Sequence, residues 1–558
     1  MRFAAAVLVA VCGAPPLFAG NTGTSAADQT AAVFAPFDRQ DSPGCAVAVV
    51  SAGRIVYQRG FGMADLEHRI AITPTSVFEL ASMSKQFTAM AVALLATRGK
   101  LSLDDDVRRF LPDLHDYGTP ITIRQFIHHT SGVRDYLDLM DLAGWRPYDS
   151  VITQQDVLEI VARQRTLNFP PGREFLYENT GYALLPLIVE HVAGMPFQQF
   201  CEENIFRPLG MSHTRFQADH SMLVEGRANG YEPGPGGGWQ NSNPIYDEVG
   251  DGGLFSTVED LARWDGNFET GQVGGPETIK TLLAPGRLLD GRVLSYALGL
   301  EIGRYRGLDI VEHGGADPGY RCDMLRFPTR RLTVVVLSNC GAADTMGMAR
   351  RVAETYLGSE LSAVAEPGAV GRSIGSRADH TGRFVGRYID PLTGSTREFV
   401  EFEGGLAVRM RGGPRRLVVV GENEFALPNS ETRYAFRTDP QGGFHLQMTT
   451  GAEPPRKYAA VRPLDLTTTD LAAFAGRFAN HELGVTWETT VREGAIYLRR
   501  QRAADSKLEP VFKDSFLTDV GLVHFLRDAS RRVQALEVSN VRDRAIRFDG
   551  MPDDDCGH

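Results

Sequence analysis

The stretch FELASMSKQF, Phe78 to Phe87, places Ser82 three residues ahead of Lys85 at the point where an apolar helical period begins. From there Met83, Phe87, Met90, Ala91, Leu94 and Leu95 recur at spacings of three and four. That spacing describes one apolar face of an amphipathic helix, expected to end at Gly99. Residues i and i+3 share a helix face. Ser82 therefore falls at or just before the first turn, where free backbone N–H groups and the positive dipole end can stabilise an alkoxide or an oxyanion. A serine hydroxyl is a poor nucleophile until a neighbour takes its proton, and Lys85 can do so when burial disfavours its ammonium form. Taken alone, the same four residues describe a serine N-cap followed by a solvated lysine, and that reading has the stronger claim. Lysine is scarce, however. There are six, at positions 85, 100, 280, 457, 507 and 513, and none of the other five has a serine three residues before it.

The chain has 558 residues, which implies two to four domains. Hydrophobic and charged contents of 43% and 23% are those of a soluble globular protein. A net charge of −11 excludes a nucleic-acid surface and a basic membrane-binding face. The N-terminus, MRFAAAVLVAVCGAPPLFAGN, carries one arginine, a short apolar run and small residues near Ala19 and Gly20. It reads as a secretory signal over residues 1–20, placing the mature protein in the periplasm or outside the cell. No later run is long and apolar enough to span a bilayer. The six cysteines, at 12, 45, 201, 322, 340 and 556, fit neither a zinc site nor a dense disulfide framework. Buried thiols are expected, with a Cys322–Cys340 bridge between neighbouring strands as the one pairing to consider. No residue cluster asks for a metal or other cofactor, and the sequence sets no oligomeric state.

Residues 45–61 read as a hairpin around Ser51-Ala52-Gly53. Strand patterns return at 293–303, 308–313, 320–327 and 332–338, followed by a helix over 343–357. The intervening 100–290 reads as mostly helical with long loops, among them the Gly/Pro-rich 231–244. Strands at both ends with helices between them imply one α+β domain whose sheet joins its termini. The small, polar residues 358–379 read as a linker. Beyond it, Phe384-Val385-Gly386-Arg387-Tyr388 returns as Phe474-Ala475-Gly476-Arg477-Phe478, and Glu403-Gly404-Gly405-Leu406 returns as Glu493-Gly494-Ala495-Ile496, both at an offset of 90. Two matched all-β units, 380–463 and 464–558, are expected.

Two weak motifs accompany the serine and lysine. Tyr177-Glu178-Asn179 runs into an apolar helix in PPGREFLYENTGYALL, and His313-Gly314-Gly315 ends a strand in LDIVEHGGADPGYRCDML. In this order, with FIHHTSG (126–132), PLGM (208–211), DGGLFSTVEDLARW (251–264) and HGGADPGYRCDMLRFP (313–328), they resemble the serine β-lactamase and penicillin-binding-protein superfamily. The branch is that of class C β-lactamases, D,D-carboxypeptidases, D-aminopeptidases and related esterases, and the resemblance covers residues 30–357.

The resemblance implies a β-lactamase-like catalytic domain, an antiparallel sheet beside a helical region with the site between them. It casts Ser82 as the acylated nucleophile, Lys85 as its proton partner and Tyr177 as the general base or acid. Asn179 would hydrogen-bond the substrate. His313 would bring a proton or positive charge near Tyr177. The oxyanion hole would be the N–H groups of Ser82 and Ala316, with Gly314 and Gly315 allowing close approach. A strand motif beginning with histidine, where class C β-lactamases have Lys-Thr-Gly, points away from efficient β-lactam hydrolysis. The two β units match the three-part plan of D-aminopeptidases, a catalytic domain followed by two lipocalin-like barrels, in which a barrel loop reaches the cleft. The polar RRQRAADSKLEP (499–510) is the candidate for such a loop. The substrate implied is a small molecule or short peptide, a peptide or amide that can contain D-amino acids, hydrolysed through an acyl-enzyme, with an esterase as the alternative. A penicillin-binding sensor or scaffold is the alternative of another class.

Overall fold

The structure is a computed structural model and describes residues 25–146, 150–362, 378–410, 413–428, 430, 432–438, 443–450, 455–462, 464 and 466–552. The leader read at 1–20, Cys12, Cys556 and most of the linker read at 358–379 lie outside the described residues. The expected hairpin forms from β1 (Cys45–Ser51) and β2 (Arg54–Phe61), turning at Ala52 and Gly53, whose φ values are 49° and 77°. Downstream come β3 (Glu301–Tyr305), β4 (Leu308–Asp317), β5 (Tyr320–Phe327) and β6 (Leu332–Ser338). They build one antiparallel sheet of six strands in the order β3-β4-β5-β6-β1-β2. β1 pairs with β6 from Cys45↔Ser338 to Ser51↔Leu332, which joins the two ends of the domain. The run Cys45 to Val50 is buried throughout, because both faces of this central strand are covered.

On one face pack α1 (Ala26–Phe34) and the C-terminal helix Thr345–Leu357, closing a core of Phe34, Val47, Val49, Phe61, Val334, Val336 and Val352. On the other face the helix Val258–Thr270 packs against β1 and β6, and α2 (Lys85–Thr97) and α3 (Thr180–Ala193) belong to the same core. α2 differs from the expected one-sided helix: every residue from Lys85 to Leu95 is buried. Small residues such as Ala89, Ala91 and Ala93 let neighbours close in on all sides of it.

The strand expected at 293–303 begins only at Glu301. Gly299, at φ 71°, turns the chain against α2, where a Cβ would lie 2.6 Å from the Lys85 carbonyl carbon. The segment before it is thereby turned inward instead of extending the sheet. Cys322 and Cys340 do not bridge. Cys322 pairs with Leu337 across the sheet and donates its thiol to the Leu80 carbonyl oxygen at 2.9 Å, and Cys45, Cys201, Cys322 and Cys340 are all free and buried.

The C-terminal half contains two nearly closed nine-stranded antiparallel barrels. Numbering the strands one to nine within each, both have the order 4-3-2-1-9-8-7-6-5. Their first strands are Gly386–Ile389 and Gly476–Asn480. Aromatic residues fill both interiors: Phe384, Phe399, Phe436 and Tyr458 in the first, Phe478, Trp487, Phe525 and Phe548 in the second. The second barrel shares its hydrophobic core with the catalytic domain, and Trp487 Nε1 donates to the Leu142 carbonyl at 3.3 Å. The first barrel has a core of its own and meets the second through Ile389, Val511 and Leu522 and through the Arg387–Glu509 ion pair.

Candidate active site

Ser82 lies in a single 3-10 turn, Ala81–Ser84, that feeds into α2. Ala81 has φ 48°, a conformation that an alanine holds only when its surroundings enforce it. Glu79 does so, its Oε2 accepting the Ala81 N–H at 2.7 Å while Oε1 accepts that of Gly253 at 3.1 Å. Burial, then the charge of nearby Asp317, push the Glu79 carboxyl well above its usual range. β4 runs beside this turn. A Cβ on Gly315 would lie 2.2 Å from the Leu80 carbonyl oxygen and 2.5 Å from Cys322 Sγ, so only glycine lets the strand approach the serine turn. Gly314, Gly315 and Ala316 pair with Asp323, Cys322 and Arg321.

Lys85 is fully buried. Its Nζ donates to Ser82 Oγ at 3.0 Å, to Asn179 Oδ1 at 2.9 Å and to the Asp251 carbonyl at 2.9 Å. Three donors thus meet three acceptors, which holds the amine against the serine. Since an ammonium only donates, the Asn179 atom facing it is the oxygen, and the Asn179 amide N–H groups remain for another acceptor. Asn179 is fixed in turn by its backbone N–H, which donates to buried Asp135 Oδ2 at 2.7 Å. Tyr177 is half-buried, its ring centre 5.2 Å from Lys85 Nζ. His129, at φ 54°, stacks on that ring at 4.3 Å and also contacts Tyr182 and Tyr296.

His313 differs from the positive charge expected beside Tyr177. Burial, then the Lys85 charge, push it down to about 4, so it is neutral at physiological pH. Its Nδ1 lies 2.7 Å from the Gly314 carbonyl, which can only accept, so Nδ1 carries the proton. Nε2 then accepts the Tyr296 hydroxyl at 3.0 Å. The inward turn at Gly299 is what delivers Tyr296 there.

This neutrality has a measurable consequence. In the unfolded chain the imidazole gains its proton near 6.5, and in the folded chain only near 4. Between those values the unfolded state binds more protons, so stability falls as pH falls. By pH 4 the His313 contribution amounts to about 3 kcal/mol. His128, likewise pushed down to about 4 by burial, adds the same sign. Urea unfolding followed from pH 7 to pH 4 is expected to show a shallower loss of stability for His313→Gln than for wild type. Equal slopes would refute a buried, neutral His313.

With His313 neutral, Lys85 is one cation beside Tyr177 and the second barrel supplies another. The turn at 540–545 inserts into the catalytic domain and sets the Arg542 Cζ 5.9 Å from the Tyr177 ring centre. Arg542 Nη1 lies 3.4 Å from Asp135 Oδ2. Asp543 Oδ1 accepts the Asp135 backbone N–H at 3.0 Å. Asn168 clamps the turn, donating from Nδ2 to the Arg542 carbonyl and accepting the Arg544 N–H at Oδ1, both at 2.9 Å. The segment 499–510 is not the one that reaches the site. Arg500 binds Asp519 and Asp141, so that segment packs at the end of the helix Tyr136–Leu142. Asp135, Tyr296 and Arg542 carried no motif, and Glu79 stood within FELASMSKQF. His129 stood within FIHHTSG, and the Asp251 carbonyl within DGGLFSTVEDLARW.

The β-lactamase family profile matches residues 30–357, and the chain belongs to that family. Penicillin-binding protein 4* of Bacillus subtilis (strain 168) is 30% identical over 412 residues, 70% of this chain and 87% of that protein. A D-aminopeptidase of Cereibacter sphaeroides (strain KD131) is 29% identical over 463 residues, 82% of this chain and 83% of that protein. Among solved structures, the octameric penicillin-binding protein homologue from Pyrococcus abyssi has a TM-score of 0.54. It is 23% identical and the match covers 75% of this chain and 96% of that one, a likeness of fold. Fold and family make the chain a serine hydrolase.

Proposed function

We propose that this hydrolase cleaves short peptides or amides, including those built from D-amino acids, through an acyl-enzyme on Ser82. The observation that carries the reading is the Lys85 amine held between Ser82 Oγ and Asn179 Oδ1 at 3.0 and 2.9 Å. Ser82 Oγ attacks the substrate carbonyl while its proton passes to the Lys85–Tyr177 pair, and the Ser82 N–H, with that of Ala316, receives the oxyanion. Tyr177 returns the proton to the leaving amine as the C–N bond breaks. Water then loses a proton to Tyr177 and attacks the ester, and the proton returns to Ser82 Oγ as the acid leaves. The Asn179 amide N–H groups meet a carbonyl of the bound substrate. The D-aminopeptidase relative supports the substrate class. An exported location rests on the leader-like residues 1–20. Among the described residues no helix is long and apolar enough to cross a membrane.

The test is a panel of a D-alanyl anilide, an acyl-D-Ala-D-Ala peptide, p-nitrophenyl esters and a chromogenic cephalosporin. Turnover of the anilide or the peptide, with little of the cephalosporin, is expected. Turnover of esters alone rejects the amide reading in favour of an esterase.

A further inference from the structure

Tyr177 stands in residues 163–179, an irregular segment between the helix Gln154–Ala162 and α3. An acid–base group on such a segment needs support from elsewhere, because its own backbone supplies no ladder of hydrogen bonds. The support comes from residues 129–132. The N–H groups of Asn168, Gly172 and Leu176 donate to the carbonyls of Gly132, Thr130 and His129 at 2.7, 2.7 and 3.0 Å. The Glu178 N–H then departs from this backbone pattern and donates to His129 Nδ1 at 3.3 Å. His129 therefore binds the N–H groups of the residues before and after Tyr177, one through its carbonyl and the other through its ring.

The same ring covers the tyrosine. Its centre lies 4.3 Å from that of Tyr177, with the planes 32° apart, whereas Tyr296 and His313 stand 6.1 and 6.4 Å from Tyr177. The left-handed φ of 54° lets one residue turn both its carbonyl and its side chain to the segment that carries Tyr177. Histidine and asparagine take that conformation more readily than most residues. An amide N–H can only donate, so Nδ1 is the acceptor and the proton sits on Nε2. Burial, then the Lys85 charge, push His129 well below the ordinary imidazole value, which keeps the acceptor free. Nε2 meets no hydrogen-bond partner among the described residues, and Tyr182 and Tyr296 flank the ring at 5.2 and 4.6 Å. Tyr296 donates to His313, so the ring that covers Tyr177 also touches the residue that holds His313 on β4.

We propose that His129 is a positioning residue for the hydrolysis, aiming the Tyr177 hydroxyl by clamping the backbone on either side of it and backing its ring. The inference rests on Tyr177 acting as the acid and base described under the proposed function, and His129 acts through that tyrosine. A misplacement of about 1 Å in such a group costs up to about a hundredfold in rate. A histidine that only filled the core would cost the same factor whether or not residue 177 could move a proton.

Steady-state kinetics of the full-length protein on p-nitrophenyl acetate test this with His129→Ala, His129→Asn, Tyr177→Phe and the two double variants. His129→Ala removes both the acceptor and the ring, and its kcat is expected to fall about a hundredfold with KM within about twofold of wild type. His129→Asn sets Oδ1 where Nδ1 stood and suits the left-handed backbone, so its kcat is expected to return to about tenfold below wild type. On the Tyr177→Phe background neither substitution lowers kcat further, because the group they aim is gone. If His129→Ala does not fold, His129→Asn with and without Tyr177 makes the same comparison. The same fractional loss on both backgrounds, a loss confined to KM, or wild-type kcat in the His129 variants overturns the positioning role and leaves the proposed function standing. Wild-type kcat in Tyr177→Phe overturns the acid–base role of Tyr177 itself and the inference with it.

Discussion

Replacing Ser82 by alanine is expected to abolish labelling by a fluorophosphonate and by penicillin, and to lower turnover of every substrate by roughly four to six orders of magnitude. The size follows from the chemistry, since without the hydroxyl there is no acyl-enzyme and only binding and oxyanion stabilisation remain. Lys85→Ala should cost about as much, because the Ser82 hydroxyl and the amine that holds it act as one unit. It should also lower stability. The Asn179 oxygen and the Asp251 carbonyl each lose their buried donor, at about 1–3 kcal/mol apiece. Intact-mass spectra of wild type and both variants separate the outcomes. An adduct on the Ser82→Ala protein removes Ser82 from the role of nucleophile. A labelled wild type that turns over no substrate makes the chain a penicillin-binding sensor.

What the sequence reveals about this site divides by distance along the chain. Ser82 and Lys85 are local, fixed by one helical turn, and the later Tyr-x-Asn and His-Gly-Gly sit at element boundaries that periodicity locates. The duplication is legible too, because glycine and aromatic markers repeat at one offset and the two barrels share one strand order. The supporting residues are not legible. Asp135 joins Asn179, 44 positions away, to Arg542, 407 positions away, and neither spacing leaves a pattern. His313 reads as a source of a proton or of positive charge, and which form it takes depends on burial, a property of the packed domain. The inward course of 293–300 depends on a contact of Gly299 with α2, while its residues carry the composition of a strand. The choice of 499–510 as the entering loop followed polarity, but the turn that enters is the one whose acidic and amide partners wait in the catalytic domain. Removing residues 380–558 would strip part of the catalytic domain's own core, since Trp487 and its neighbours belong to a core continuous with that domain.

The second large effect is expected at Arg542. Its guanidinium is the cation that the second barrel brings to Tyr177, and a tyrosine acting as a base must carry negative charge for part of the cycle. A unit charge about 6 Å away is worth roughly 3 kcal/mol at an effective dielectric constant of 20. Two features reduce that figure. Asp135 lies 3.4 Å from the guanidinium and offsets part of its field, and 34% of the Arg542 side chain reaches solvent, which screens it. The effect expected for Arg542→Ala is therefore an acidic limb of the pH–rate profile moved to higher pH, with kcat/KM at neutral pH down about tenfold. The sign is fixed: removing positive charge disfavours the phenolate, so a higher pH is needed to form it. Arg542→Lys should keep the limb near its wild-type position, since charge sets the limb. It should lose some kcat/KM, because an ammonium lacks the planar fork that spans Asp135 and the tyrosine ring. A merely structural turn would behave differently: both variants would lose activity by the same factor at every pH, with the limb unmoved. Asp135→Asn supplies the opposite arm, for with its carboxylate gone the full field of Arg542 acts on Tyr177 and the limb should move to lower pH. Limbs that stay fixed in all three variants would separate Arg542 from the chemistry and leave the second barrel a packing role alone.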